Sequence, residues 1–274
     1  MNGDAPAPPP PLLSNGQIRV KNCRRGPMAY HVGDTYIGRA FDRYGEYAEA
    51  EAVFLAQLLR PGMAALDIGA NIGALSIFMA QQVGPGGAVL AMEPQRPVFQ
   101  LLCANVALNA LGNVYTYHAA AGASEGTLLV PRVDYAKGGN FGGVSLLGTD
   151  KGEPVPCRTV DGLALSRCDL IKIDVEGMEN EAVAGATATI GKFRPVIYME
   201  NDRRDRSEEL LGRMFGLEYR VYWHLPMLYN PDNFFKNPVN EYENLISRNV
   251  ICLPAERGIT VENLTEITDP AIKF

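Results

Sequence analysis

Three short stretches of the chain carry residue types and spacings that chemistry could use. Asp67, Gly69, Asn71 and Gly73 fall in LDIGANIGALS, Glu93 follows Gly73 by twenty residues in VLAMEP, and Asp174 and Glu176 fall in IKIDVEG. A glycine-rich turn between a strand and a helix lets the backbone bend sharply and lets a ligand come close. Such turns often hold phosphates, but a phosphate fits poorly here. Aligned from Gly69, the dinucleotide fingerprint G-x-G-x-x-G/A has Asn71 at its second glycine and Ala74 at its third. A side chain then stands where a pyrophosphate needs bare backbone, and Asp67 adds negative charge beside a doubly negative group. The Gly-Lys-Ser/Thr of a P-loop is absent.

A positively charged ligand suits this turn better. S-adenosylmethionine has no phosphate, and it carries a sulfonium and an α-ammonium. Asp67 favours that charge directly or through water. Glu93, at the tip of the next strand with Pro94 beside it, can accept hydrogen bonds from both hydroxyls of a ribose. NAD also has a ribose, so an NAD-dependent oxidoreductase with a degenerate glycine loop is the competing reading. A binding protein that kept the fold and lost turnover is a third. Asn71 suits the left-handed conformation that asparagine tolerates.

Methyl transfer from a sulfonium to a hydroxyl is an in-line displacement. The protein must position the acceptor and remove a proton. Asp174, at the end of the apolar strand IKID, is placed to act as base or to position the acceptor, and Glu176 stands two residues on. His224, after LEYRVYW, is a second candidate base, read equally as part of the pocket wall. Glu200, at the tip of YMEN, faces the same edge and can contact the acceptor. Asp174, Glu176 and Glu200 are also hard oxygen ligands. With no D-x-D and no Asp-Asn pair among them, no metal is expected.

These residues need a scaffold, and the hydrophobic pattern supplies one. A helical periodicity runs from Glu46 to Leu59, with Ala50, Val53, Phe54 and Leu58 on one face, and Pro61-Gly62 stops it. Strands over 64–68, 88–92 and 114–120 then alternate with helices over 73–83 and 94–110. Strands over 170–174 and 196–200 precede helices over 178–190 and 207–215, and strands over 218–223 and 249–253 close the series. Alternation of this kind implies a mostly parallel sheet with helices on both faces, an α/β fold. Glycine-rich residues 121–158, including GGNFGG at 138–143, break the rhythm as a hairpin with loops, and GGNFGG could form a lid.

The expected organisation is a disordered Pro-rich tail over 1–16 and a small β-meander over 17–45. The main domain follows over 46–254, with a C-terminal extension over 255–274. Net charge is −6 and the pI is near 5.2, which argues against nucleic acid as a partner. Five scattered cysteines without C-x-x-C spacing suit a reduced, cytoplasmic protein. The start MNGDAPAPPPPLL has neither the positive charge nor the apolar core of a signal peptide, and no apolar run is long enough to span a bilayer. The oligomeric state is open, a homo-oligomer included.

Six segments resemble the FkbM family of S-adenosylmethionine-dependent methyltransferases: GEYAEAEAVFLAQLLRPG, LDIGANIGALSIFMA, MEPQRPVFQLLCANVALN, LIKIDVEGMENEAVAGA, RPVIYMEN and NFFKNPVNEYENLISRNVICLP. The resemblance covers about residues 44–254. It implies a Rossmann-like class I methyltransferase with a seven-stranded, mostly parallel sheet whose last strand is antiparallel. It also implies S-adenosyl-L-methionine as cofactor and O-methylation of a sugar, polysaccharide or other natural-product acceptor. By position, Asp67, Gly69, Asn71 and Gly73 match the family's cofactor loop and Glu93 its ribose-binding acid. Asp174 and Glu176 match the KIDVEG carboxylates. Glu46 and Glu49 match acidic positions before the first strand of the main sheet.

Overall fold

The computed structural model describes residues 9–259 and 261–272. Residues 1–8 of the expected tail lie outside the described residues. Within 9–16, Leu13–Ser14 form a short strand, β1, rather than a disordered tail. It pairs antiparallel with β2 (Ile18–Cys23), which pairs with β3 (Gly26–His31). A helix, α1 (Ile37–Tyr44), follows where the β-meander was expected to continue, and Gly45 ends it in the left-handed conformation.

The main unit begins with α2 (Glu49–Ala56), shorter than the periodicity over 46–59 suggests. Next come β4 (Ala64–Ile68), α3 (Ala74–Val83), β5 (Ala88–Met92), α4 (Arg96–Leu108) and β6 (Val114–Tyr117). The glycine-rich interruption holds β7 (Ala120–Ala121), β8 (Gly126–Val130) and β9 (Glu153–Arg158), a small separate sheet ordered β7-β9-β8. Then follow β10 (Leu170–Ile173), α5 (Glu179–Ala184), α6 (Thr187–Phe193), β11 (Val196–Glu200), α7 (Arg204–Gly216), β12 (Tyr219–His224), β13 (Asn249–Pro254) and β14 (Glu266–Ile267).

The single helix expected over 178–190 is two. A Cβ on Gly185 would stand 2.0 Å from the carbonyl oxygen of Gly122, so the chain crosses there at glycine distance. Asp161 then accepts the amides of Ala188 and Thr189 and starts α6 afresh.

Among the described residues the main sheet has the order β14-β12-β13-β11-β10-β4-β5-β6. The run from β11 to β6 is parallel, and β13 is inserted antiparallel between β11 and β12. This is the expected seven-stranded arrangement with an eighth strand, the two-residue β14, added at the edge. One face carries α2 and α3 over a core of Leu55, Ala65, Phe78, Met79, Val89 and Tyr198. The other carries α5, α6 and α7 over Leu66, Ile171, Ile173, Ile197 and Leu211. The N-terminal strands pack on α1, α3 and α4 through Met28, Tyr30, Phe41, Ile77 and Val98. The fully buried Asn105 fastens them by exchanging hydrogen bonds with both backbone groups of Ala29 and donating to the carbonyl of Ile72.

Candidate functional site

A cavity opens where the parallel strands end, the place where open α/β sheets bind ligands. On one side it is bounded by the β4–α3 turn, with Gly69 and Asn71, and by Glu93, Pro94 and Gln95 after β5. Gly69 is held at φ +78, and a Cβ there would stand 1.7 Å from the carbonyl oxygen of Asp174, so no other residue fits. Asn71 takes the left-handed conformation at φ +50. Its amide donates to Glu93 Oε2 at 3.0 Å, and the amide of Gln95 donates to Glu93 Oε1 at 2.8 Å. Glu93 thus ties the glycine turn to the tip of β5. Burial pushes its carboxyl up to about 7, against the pull of the two amides. Gly73 (φ +89) starts α3 and packs against Leu102, away from the cavity wall.

Asp67 lies behind this wall. It is fully buried, accepts the Ser76 hydroxyl, and stands 3.2 Å from the ammonium of Lys172. The two residues are register partners on β4 and β10, and Lys172 is in turn the partner of Tyr198 on β11. Asp67, Lys172 and Tyr198 therefore form a row across three neighbouring strands on one face of the sheet. The negative charge expected to meet a cationic ligand meets an internal lysine instead. Lys172 also donates to the carbonyl of Gly69 at 3.0 Å and lies 3.3 Å from Asp174 Oδ2. Burial alone would lower its pKa, but Asp67, Asp174 and Glu51 together hold it above its ordinary value.

The other end of the cavity is rich in carboxylates. Asp174 follows β10, Glu176 sits two residues on at φ +52, and Glu200 ends β11. Each offers an oxygen within 4.8 Å of the others. Glu200 reaches this cluster from the neighbouring strand, at the sheet edge where the strand pattern put it. Glu176 accepts from Arg203 at 2.7 Å, and burial and Asp174 push its carboxyl up to about 7. Glu200 is pushed further up, by burial first and then by Asp174, Asp202 and Glu176, and its Oε2 is buried without a hydrogen-bond partner. Glu51 on α2 faces the same space.

Three other candidate residues stand off the wall. Glu46 accepts from Arg24 at 2.6 Å, from Asn230 at 2.7 Å and from the amide of Phe234 at 2.8 Å. Glu49 is 2.8 Å from Arg25. Both join the N-terminal strands to later segments and do not border the cavity. His224 is stacked on Phe54 with ring centroids 4.2 Å apart, and its Nδ1 is 2.8 Å from the Tyr198 hydroxyl. Burial lowers its pKa to about 4, so the ring is neutral near pH 7.

The glycine-rich loop forms the roof. Asn140, Gly142, Gly143 and Val144 border the cavity. Phe141 is buried against His31 and Tyr135, and its carbonyl accepts Gln95 Nε2 at 2.8 Å. Gly139 exchanges backbone hydrogen bonds with Gly33 and Thr35 at 3.0 and 2.9 Å.

Residues 67–222 match the family model described as the methyltransferase FkbM domain, more than half of the chain. The chain belongs to the FkbM methyltransferase family. This FkbM protein is also 29% identical over 187 residues to the AMB antimetabolite synthetase AmbE of Pseudomonas aeruginosa, covering 54% of this chain and 9% of that protein. A methyltransferase FkbM from Methylobacillus flagellatus superposes with a TM-score of 0.45 at 17% identity, covering 74% of this chain and 50% of that one. The precorrin-6y C5,15-methyltransferase of Geobacter metallireducens superposes with a TM-score of 0.50 at 16% identity, covering 75% of this chain and 88% of that one. The chain thus spans half or less of two of these three relatives. The fold is that of the Rossmann-like class I methyltransferases.

As a member of this methyltransferase family the chain uses S-adenosyl-L-methionine as cofactor, and the cavity's chemistry fits it. The described lining holds Glu51, Glu93, Asp174, Glu176 and Glu200 against one cation, Lys172, which is already paired with Asp67 and Asp174. That field suits a sulfonium and an ammonium and repels the diphosphate of NAD. Family and field together set the oxidoreductase reading aside.

Lys172, Glu51 and Gln95 are wall residues that motif reading passed over. A lysine inside an otherwise apolar strand, LIKI, is the signal that should point to a buried counter-charge.

Proposed function

We propose that this protein transfers a methyl group from S-adenosylmethionine to a hydroxyl oxygen of a small-molecule or carbohydrate acceptor, working in the cytoplasm. The observation that carries this is one cavity bounded both by the glycine turn with Glu93 and by the carboxylates that follow β10 and β11. Gly69, Asn71, Glu93 and Pro94 would hold the cofactor, with Asp67 and Gly73 shaping the turn from behind. The acceptor would lie at the end bounded by Glu51, Asp174, Glu176 and Glu200. The cofactor supplies an activated methyl group on a positively charged sulfur.

The chain's own residues do the rest. Glu93 accepts hydroxyl hydrogens, and its two amide partners fix its direction. Lys172 holds Asp174 in place by its 3.3 Å contact, so Asp174 orients the acceptor. The roof residues 140–144 exclude water. The antimetabolite synthetase among the relatives supports a natural-product acceptor. Among the described residues no helix is long and apolar enough to cross a membrane.

The test is methyl transfer from labelled cofactor to a panel of sugars, glycosides and amino-acid-derived alcohols, with the product bond identified by mass spectrometry. An O-methyl ether supports the proposal. Labelled N-methyl product alone, or cofactor binding with no transfer to any pool, refutes it.

A further inference from the structure

We infer that Glu51 is the residue that takes the proton from the acceptor hydroxyl, and that Tyr198, locked by Asn249 and His224, is the positioning residue that aims it. This deepens the methyl-transfer reading and rests on it.

The placement comes from helix and sheet geometry. Glu49 and Glu51 are both on α2, and residues two apart on a helix point about 200° from each other. Glu49 consequently meets Arg25 away from the cavity, and Glu51 turns toward the cavity beside the row Asp67–Lys172–Tyr198. There it lies beside Ser247 and the Tyr198 hydroxyl. Ser247 and Asn249 border the same cavity.

The direction of the network follows from its donors. Asn249 Nδ2 donates to the Tyr198 oxygen at 2.8 Å. Asn249 is opposite both Glu200 and His224 in the sheet register, because β13 is inserted between β11 and β12. With Asn249 donating, the Tyr198 oxygen is an acceptor, and its one hydrogen turns to Glu51 in the tautomer that carries the His224 proton on Nδ1. His224, held flat on Phe54, contributes its Nδ1 at 2.8 Å from the same hydroxyl. Glu51 is thereby aimed without an ion pair of its own. Asp174 and Glu176 lack this freedom, being paired with Lys172 and Arg203.

The charged and titratable groups that face Glu51 are Lys172 on β10, Asp174 just after it, Tyr198 on β11 and Tyr47 before α2. Burial and then Asp174 push the Glu51 carboxyl up to about 7, with Lys172, Ser247 and Tyr198 pulling back. A base poised there is half-ionised near neutral pH and strong enough to share a hydroxyl proton. In the step, the acceptor oxygen bonds to the methyl carbon and its proton passes to Glu51. The electron pair of the broken carbon–sulfur bond stays on sulfur, leaving the neutral thioether S-adenosylhomocysteine.

The experiment uses the full chain and a small-molecule extract of cells that carry its gene, with methyl-labelled S-adenosylmethionine. Single-turnover transfer is compared for wild type, Glu51→Gln, Asp174→Asn and Tyr198→Phe, each checked for folding by circular dichroism. Glu51→Gln should slow transfer ~10²-fold or more and leave S-adenosylhomocysteine affinity, read by calorimetry, within about threefold. The acid limb of the wild-type pH–rate profile, near 7, should vanish from the residual rate. Tyr198→Phe removes a donor to the carboxylate, so it should move that limb to higher pH with KM little changed. Glu51→Gln at the wild-type rate, or with the acid limb intact, overturns the assignment. Asp174→Asn inactive beside an active Glu51→Gln gives the base role to Asp174. A wild type that labels nothing refutes methyl transfer itself, a different result from either.

Discussion

Lys172 and Asp67 stand directly opposite each other on neighbouring parallel strands, ammonium to carboxylate at 3.2 Å, both shut away from solvent. The pair lies under the glycine turn and supports it, since Lys172 also holds the Gly69 carbonyl. Removing one partner leaves the other charge buried and uncompensated. Lys172→Met should therefore cost about 3–5 kcal/mol of stability, read as a lower urea midpoint. The double change Asp67→Asn with Lys172→Met should recover part of that loss. A double variant no better than the single one would mean that the pair is not coupled.

Cofactor affinity tests Glu93 apart from chemistry. S-adenosylhomocysteine should bind in the micromolar range, about −8 kcal/mol, and NAD should not bind. Glu93→Ala should weaken binding by ~1.5–3 kcal/mol, the range of a charge-assisted hydrogen bond. Calorimetry on a folded Glu93→Ala with unchanged affinity would remove Glu93 from the cofactor site.

Stability should fall as pH rises toward neutrality. Burial pushes Glu51, Glu93 and Glu176 up to about 7, and Glu200 also upward. Each binds more protons folded than unfolded above its ordinary value, over a window that reaches about 7 for Glu51, Glu93 and Glu176. Its contribution is therefore full below about 4.5 and is lost as pH climbs through the folded value. His31 and His224 are shifted down and act in the opposite sense, but four carboxyls outweigh two imidazoles. The ligand-free protein should show a higher urea midpoint at pH 5 than at pH 7.5, and Glu93→Gln should flatten the difference. A midpoint that rises over this interval would contradict the buried-acid account.

Two glycines offer a matched contrast. Gly69→Ala combines a positive φ with a Cβ 1.7 Å from a carbonyl oxygen, and should cost about 3 kcal/mol or more while abolishing cofactor binding. Gly191→Ala, in α6 with open space around it, should stabilise by about 0.5–1 kcal/mol. Thermal melts of both variants read the difference directly.

The glycine turn, Glu93 and the KIDVEG acids were legible in the sequence because each lies next to a strand end whose apolar run is plain. The strand series was legible for the same reason. What escaped depends on cross-chain register. Nothing local says that Lys172 faces Asp67. Within EYAEAEAV, Glu46 and Glu49 match the family's acidic positions, yet Glu46, before α2, meets Arg24, and helix phase turns Glu49 toward Arg25 and Glu51 toward the cavity. The break between α5 and α6 likewise hinges on a distant carbonyl, that of Gly122. β14 has two residues, too few to show a period.

The roof over the cavity has a consequence for how relatives of this chain diverge. Gly139 is stitched to Gly33 and Thr35, a hundred positions earlier in the chain, and Phe141 leans on His31. Gly33, Thr35 and His31 do not border the cavity. A homologue that enlarges the opening for a bulkier acceptor must alter both strips together, or the altered roof loses its anchor. Substitutions at 31–35 and at 139–143 should be inherited as sets, and grafting one strip without the other should yield a chain that folds yet leaks water into the reaction.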